Sequence, residues 1–220
     1  INIIAADNCD PEICSRAFGC NFGFNQFGTN QIDTFSIIDN EKQVIVNSND
    51  CPFEIGSSTA KMIKTQYPDI DLFLVGYTGA SDYPCSYDLE PLEKKSEAER
   101  KKSKRLQNAV DYINLLNPKY YLPFAGRYVL GGKLTSLMKN KGESTLDEGI
   151  NFLKKNIDQE QNKGIALNIN SYFDLNTEQT SEIYVPENKS ERDLYVQNIL
   201  SKKKLDYEND LFPTLDSIIK

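Results

Sequence analysis

A chain of 220 residues, 39% of them apolar, can bury a core of its own and fits one ordinary domain. Its formal charge of -7 argues against a nucleic-acid backbone as partner. It contains no histidine, which excludes a histidine-ligated metal centre, a Ser-His-Asp triad or a Cys-His pair built from this chain alone.

The chain opens inside a strand-like run, residues 1–6, with no initiator Met or leader before it. That start reads as a cut, so the chain is expected to be the downstream part of a longer polypeptide whose upstream part carries histidines. Residues 9–28 form a Cys-, Gly- and Phe-rich stretch without a period, expected as a loop. Five cysteines, Cys9, Cys14, Cys20, Cys51 and Cys85, without a secretory signal point to free thiols in a reducing, cytoplasmic setting. Residues 32–38 and 44–46 are β-rich and flank the turn cluster Asp39-Asn40-Glu41-Lys42, which predicts a hairpin. Ser57 or Ser58 is expected to cap a helix with Ala60, Met62, Ile63 and Tyr67 on its apolar side, stopped by Pro68. Residues 72–76 read as a strand covered on both faces. The longest apolar stretch lies here and falls far short of the roughly 20 residues that span a bilayer, so no membrane segment is expected.

Leu106, Ala109, Val110, Ile113 and Leu116 predict a helix over 97–116, ended by Asn117-Pro118. Its basic run, Lys101-Lys102-Ser103-Lys104-Arg105, is interleaved with Glu93, Glu97 and Glu99 nearby and reads as a solvated, salt-bridged face. A strand and turn over 120–126, a short helix over 133–138, a helix over 146–157, a strand over 165–172 and a helical tail over 191–200 and 211–219 complete the chain. Alternation of strands and helices gives an α/β class in a single domain, 1–220.

Three strand-end loops are candidate sites. In the first, Asp50 flanked by Asn47 and Asn49 suits a metal, and a turn-forming Asn/Asp cluster explains the same residues. In the second, Gly76 and Gly79 let a ligand approach the backbone while Tyr77, Ser81 and Tyr83 offer hydroxyls; an ordinary Gly-rich turn is the plain alternative. In the third, Arg127 suits a substrate carboxylate or phosphate, or is a surface arginine. Cys9, Cys14, Cys20 and Cys51 could surround zinc, although their spacing is looser than a structural site's and buried free thiols account for them as well.

The segments FSIIDNEKQVIVNSNDC, DLFLVGYTGASDYPCSYD, NPKYYLPFAG and, more loosely, LYVQNILSKKKLDYENDLFP resemble the second half of a metallo-β-lactamase-fold protein. The nearest branch holds the non-Rieske part of CMP-N-acetylneuraminate hydroxylase and the ascorbate-6-phosphate lactonases. The resemblance implies an αββα sandwich of which this chain is the carboxy-terminal half, with a metal site between the halves. The Asp at the end of the family's Asn-Asp strand maps onto Asp50 as a metal ligand. The family's His-x-His-x-Asp-His signature is absent, and Pro-Phe-Ala-Gly at 123–126 stands where many relatives have Gly-His. The implied function is a zinc-, manganese- or iron-dependent hydrolase of an ester, lactone or phosphoester, inactive as the isolated chain. The divalent metal belongs to the complete protein, with none required in this chain alone. The upstream half, or a separate subunit, would be its partner, and Tyr77, Ser81, Tyr83 and Arg127 its contacts to a small-molecule substrate. A histidine-free binding or scaffold protein that keeps the fold is the alternative.

Overall fold

The computed structural model describes residues 1–5, 34–48, 50–124 and 126–205. The expectations for Cys9, Cys14 and Cys20, for the loop over 9–28 and for a helix over 211–219 lie outside the described residues.

Six strands form one mixed sheet whose spatial order follows the chain: β1 (Asn2–Ala5), β2 (Thr34–Asp39), β3 (Val44–Asn47), β4 (Leu72–Gly76), β5 (Tyr120–Phe124) and β6 (Lys163–Gly164). The first three pair antiparallel, and β3 to β6 run parallel. The β2–β3 hairpin is tied at its turn by Asn40 and Asp39, whose side chains accept from the backbone amides of residues 41–43. Parallel neighbours need crossovers, here α1 (Phe53–Gln66), α2 (Pro91–Leu116) and α3 (Leu146–Asn156). Because the strands advance in one direction and crossovers are right-handed, all three helices fall on one face.

That face holds the main core. Phe35, Ile37, Val46, Phe73, Val75 and Tyr121 of the sheet meet Ala60 and Ile63 of α1, Ala109, Ile113 and Leu116 of α2, and Ile150 and Leu153 of α3, all buried. Each large side chain removed from water here contributes about 1.5–3 kcal/mol. The opposite face, set by register, carries Ile3, Ile38, Ile45, Leu72, Leu74, Tyr120, Leu122 and Phe124. A two-stranded hairpin, β7 (Phe173–Asp174) and β8 (Gln179–Thr180), covers the amino-terminal ends of β4 and β5 on this side. There Phe173 packs on Tyr120 at 4.8 Å between ring centres, and Glu178 accepts from the Tyr120 hydroxyl at 2.7 Å. Phe124, 41% exposed, and Ile38, 46% exposed, lie beyond its reach.

Several boundaries differ from the sequence reading. Helix α1 starts at Phe53 behind Pro52, so Ser57 and Ser58 lie inside it and cap nothing, and Met62 is half exposed. Gly56 in its first turn is a site of close packing: a Cβ there would sit 2.2 Å from the Tyr112 hydroxyl and 2.9 Å from the Phe35 ring. Helix α2 begins at Pro91, a residue whose fixed φ suits a first helical position, and closes at Asn117 in the left-handed region. The short helix is a 3-10 segment, Gly132–Asn140. The expected strand over 165–172 pairs only through Lys163–Gly164 and the amide of Ile165. The chain then turns at Asn168–Ser171, where the Asn168 side chain is spent on the backbone of Ile183 and Val185. The tail helix, α4 (Lys189–Asn198), buries none of its residues, and its Leu194 and Tyr195 are exposed.

Candidate functional site

Asp50 follows β3 in a tight turn closed by the Cys51 amide on the Ser48 carbonyl at 2.9 Å, and the turn is anchored to β4 by the Ser48 amide on Leu74. It is exposed at the carboxyl ends of the parallel strands. A small pocket of about 20 Å³, room for one water-sized group, opens beside it and is shared by Gly76, Thr78, Arg105, Asn108 and Tyr112.

The far wall is a polar row along α2. Lys101, Arg105, Asn108 and Tyr112 succeed one another at spacings of four, three and four, which places them on one side of the helix. Lys101 donates to the carbonyls of Ser81, Tyr83 and Lys141 at 2.6, 2.9 and 3.0 Å, and burial lowers its pKa. Asn108 donates to Glu54 at 3.1 Å, and Tyr112 donates to the Pro52 carbonyl at 2.9 Å. Arg105 alone of the four makes no ion pair or hydrogen bond among the described residues; its guanidinium occupies the space a side chain on Gly79 would take. The basic run is therefore not one solvated face: Lys102 reaches Glu148 of α3 at 3.0 Å and Lys104 reaches Glu54 of α1 at 2.9 Å, so its charges tie helices together.

The four expected substrate contacts fall into two pairs, Ser81 with Tyr83 and Tyr77 with Arg127, whose charge acts on the Tyr77 phenol. Tyr77 is 4% exposed, its ring over Gly149 of α3, and burial raises its pKa. Ser81 accepts from the Tyr83 amide at 3.2 Å and is exposed. Tyr83 donates to Glu97 at 2.7 Å, which raises its pKa, and packs edge-on to Tyr87. Arg127 pairs with Glu187 at 3.3 Å.

Arg127 belongs to a larger cleft of about 390 Å³ bounded by α3, α4 and the loop before α3. Its charges are largely spent on one another: Arg192 joins Arg127 on Glu187 at 2.9 Å, and the Tyr184 hydroxyl donates to Asp147 at 2.9 Å. Lys141 and Glu143, 5% and 3% exposed in their side chains, lie 2.8 Å apart, although neither Glu143 oxygen has a donor in hydrogen-bond geometry. Lys141 also sits 3.4 Å from the centre of the Tyr128 ring, whose phenol burial pushes up to about 12. Asp50 and Arg127 thus face different cavities.

No protein-family model, curated protein or solved structure shows significant similarity to this chain.

Among the described residues no three His, Cys, Asp or Glu side chains converge as a metal would require. Asp50 fits the role of one ligand, because its carboxylate is exposed and makes no ion pair among the described residues. One carboxylate does not hold a borderline cation, which takes three or four protein ligands. The described residues do not by themselves make up such a site.

Sequence reasoning placed Arg105 in the solvated basic run and did not single out Asn108 and Tyr112. Their signal was the polar row at helical spacing, present in the sequence but eclipsed by the apolar stripe one step round the same helix.

Proposed function

We propose that the chain is one half of a metal-dependent hydrolase of metallo-β-lactamase-like αββα architecture, acting on an ester, lactone or phosphoester. In this reading Asp50 contributes one ligand, and histidines come from another stretch of polypeptide, in the same gene product or a companion subunit. The observation that carries it is the second face of the sheet. Among the described residues no helical layer lies over this face: Ile38 and Phe124 are exposed and Ile45, Leu74 and Leu122 only partly buried, while all three crossover helices occupy the other face. A sheet so built needs a second apolar layer, and a sheet-on-sheet partner supplies one about 10 Å away. Such a partner would close over the carboxyl ends of β3 and β4, where Asp50 stands, the edge at which parallel α/β sheets place their chemistry. A bound divalent ion there would provide hydroxide near neutral pH.

The test is metal analysis of the native gene product together with any companion that copurifies. At least one equivalent of zinc, manganese or iron is expected, lost in Asp50→Asn. A product that takes up no divalent ion, or that retains it fully in Asp50→Asn, overturns the reading and leaves a histidine-free binding or scaffold protein in its place.

A further inference from the structure

We propose that Arg105 is an anchor for an oxyanion, the carboxylate or phosphate group of a small substrate, seated at the carboxyl ends of β3 and β4. The assignment rests on the reading of this edge as the chemical site and adds to it the charge of the substrate.

The argument is one of unspent donors. An arginine keeps its charge at every accessible pH, and its planar fork of N–H groups matches two oxygens of a carboxylate or phosphate. Taking that charge partly out of water is costly unless something compensates it. Elsewhere on α2 the compensation is visible: Arg100 has Glu97 at 2.6 Å, Lys102 has Glu148, Lys104 has Glu54, and Lys101 has three carbonyls. Arg105 is also half-buried, yet it has no such partner among the described residues. Asp50 lines the same pocket without reaching ion-pair distance.

The guanidinium is nonetheless positioned. A Cβ on Gly79 would lie 2.9 Å from Nε and 3.1 Å from both Cζ and Nη2, so the absence of a side chain at Gly79 is what lets the fork lie on the β4–α2 loop. Its neighbours on the α2 row, Lys101 one turn before and Asn108 one turn after, are fixed by their own bonds. The pocket it shares with Thr78 and Gly76 has room for one oxygen-sized group, and the remainder of a substrate would project across its mouth toward Asp50. A divalent ion at Asp50 and an oxyanion at Arg105 would then offset each other's charge.

The experiment is titration of the chain with inorganic phosphate and, separately, with acetate, followed by calorimetry at low ionic strength, where screening is weakest. Saturable binding of at least one is expected, and which one binds assigns the oxyanion to the phosphate or carboxylate class. Arg105→Met should weaken it by about tenfold, the loss of roughly one charge-assisted pair. Gly79→Ala keeps the charge but displaces the fork, and should weaken binding while thermal unfolding stays near the parent's. Arg100→Met, which removes an exposed cation from the same helix, should leave it unchanged. Absence of saturable binding by either anion, or equal binding by the parent and Arg105→Met, overturns the proposal. Its fate is separable from that of the metal. Anion binding that depends on Arg105 in a gene product without metal sinks the hydrolase reading alone, whereas a metal-loaded product indifferent to Arg105→Met sinks the anchor alone.

Discussion

At residue scale, the contacts that shape the Asp50 edge converge on Tyr112. Its ring packs edge-on against Phe35, Phe53 and Phe73, and its hydroxyl reaches over the first turn of α1 to the Pro52 carbonyl. Gly56→Ala would drive a methyl group into that hydroxyl and the Phe35 ring, and is expected to destabilise by about 1–3 kcal/mol, read as a lower urea midpoint at unchanged slope. Glu54 sets a pH dependence at the same place. Burial raises its pKa, but Lys104, its own backbone amide and Asn108 more than offset this, leaving it below the ordinary 4.5. A carboxylate with a depressed folded pKa stabilises fully above its unfolded value and loses that contribution as pH falls through the folded one. Stability should therefore decline below about pH 4.5, and Glu54→Gln should flatten that decline in urea titrations across the acid range.

At the scale of elements, each crossover helix is fixed by local chemistry and then tied to its neighbour by charge. Helix α3 carries a capping box in which Thr145 accepts from the Glu148 amide at 3.0 Å and Glu148 accepts from the Thr145 amide at 2.9 Å. The same Glu148 takes the Lys102 ammonium of α2, so one residue both starts a helix and docks it. Thr145→Ala should cost about 1 kcal/mol in thermal or urea unfolding, the usual worth of an N-cap. Helix α4 has a cap, Asn188, but no buried side chain, and its Arg192 closes one side of the charged cleft through Glu187.

At the scale of the whole molecule, the asymmetry of the sheet dominates. One face is sealed by three helices; on the other, among the described residues, Ile165, Leu167, Phe173 and Leu175 pack with Ile45, Leu72, Leu74, Tyr120 and Leu122, while Ile38 and Phe124 stay exposed. An exposed apolar patch such as Ile38 and Phe124 drives association when its partner is missing. Sedimentation velocity of the isolated chain should show a sedimentation coefficient that rises with concentration. The double variant Ile38→Lys, Phe124→Lys should suppress that rise without lowering the unfolding midpoint, since both side chains are exposed and neither belongs to the buried core. A parent that stays monomeric across the range would show that the face needs no second layer.

The sequence by itself determined the α/β alternation, the β2–β3 hairpin, the extent of β4 and the stop at Asn117-Pro118, because each rests on local periodicity or on the φ preferences of a few adjacent residues. It did not determine where α1 begins: Ser57 and Ser58 read as caps, whereas the helix starts at Phe53 and takes Gly56 into its first turn, where Tyr112, 56 positions further on, leaves no room for a side chain. Nor did it show that Arg127 faces Glu187, or that Arg105 stands beside Asp50 while Lys102 and Lys104 are spent on α3 and α1. Those pairings depend on which strands neighbour one another and on which side each helix crosses. Long-range burial decides that, and a window of sequence does not record it.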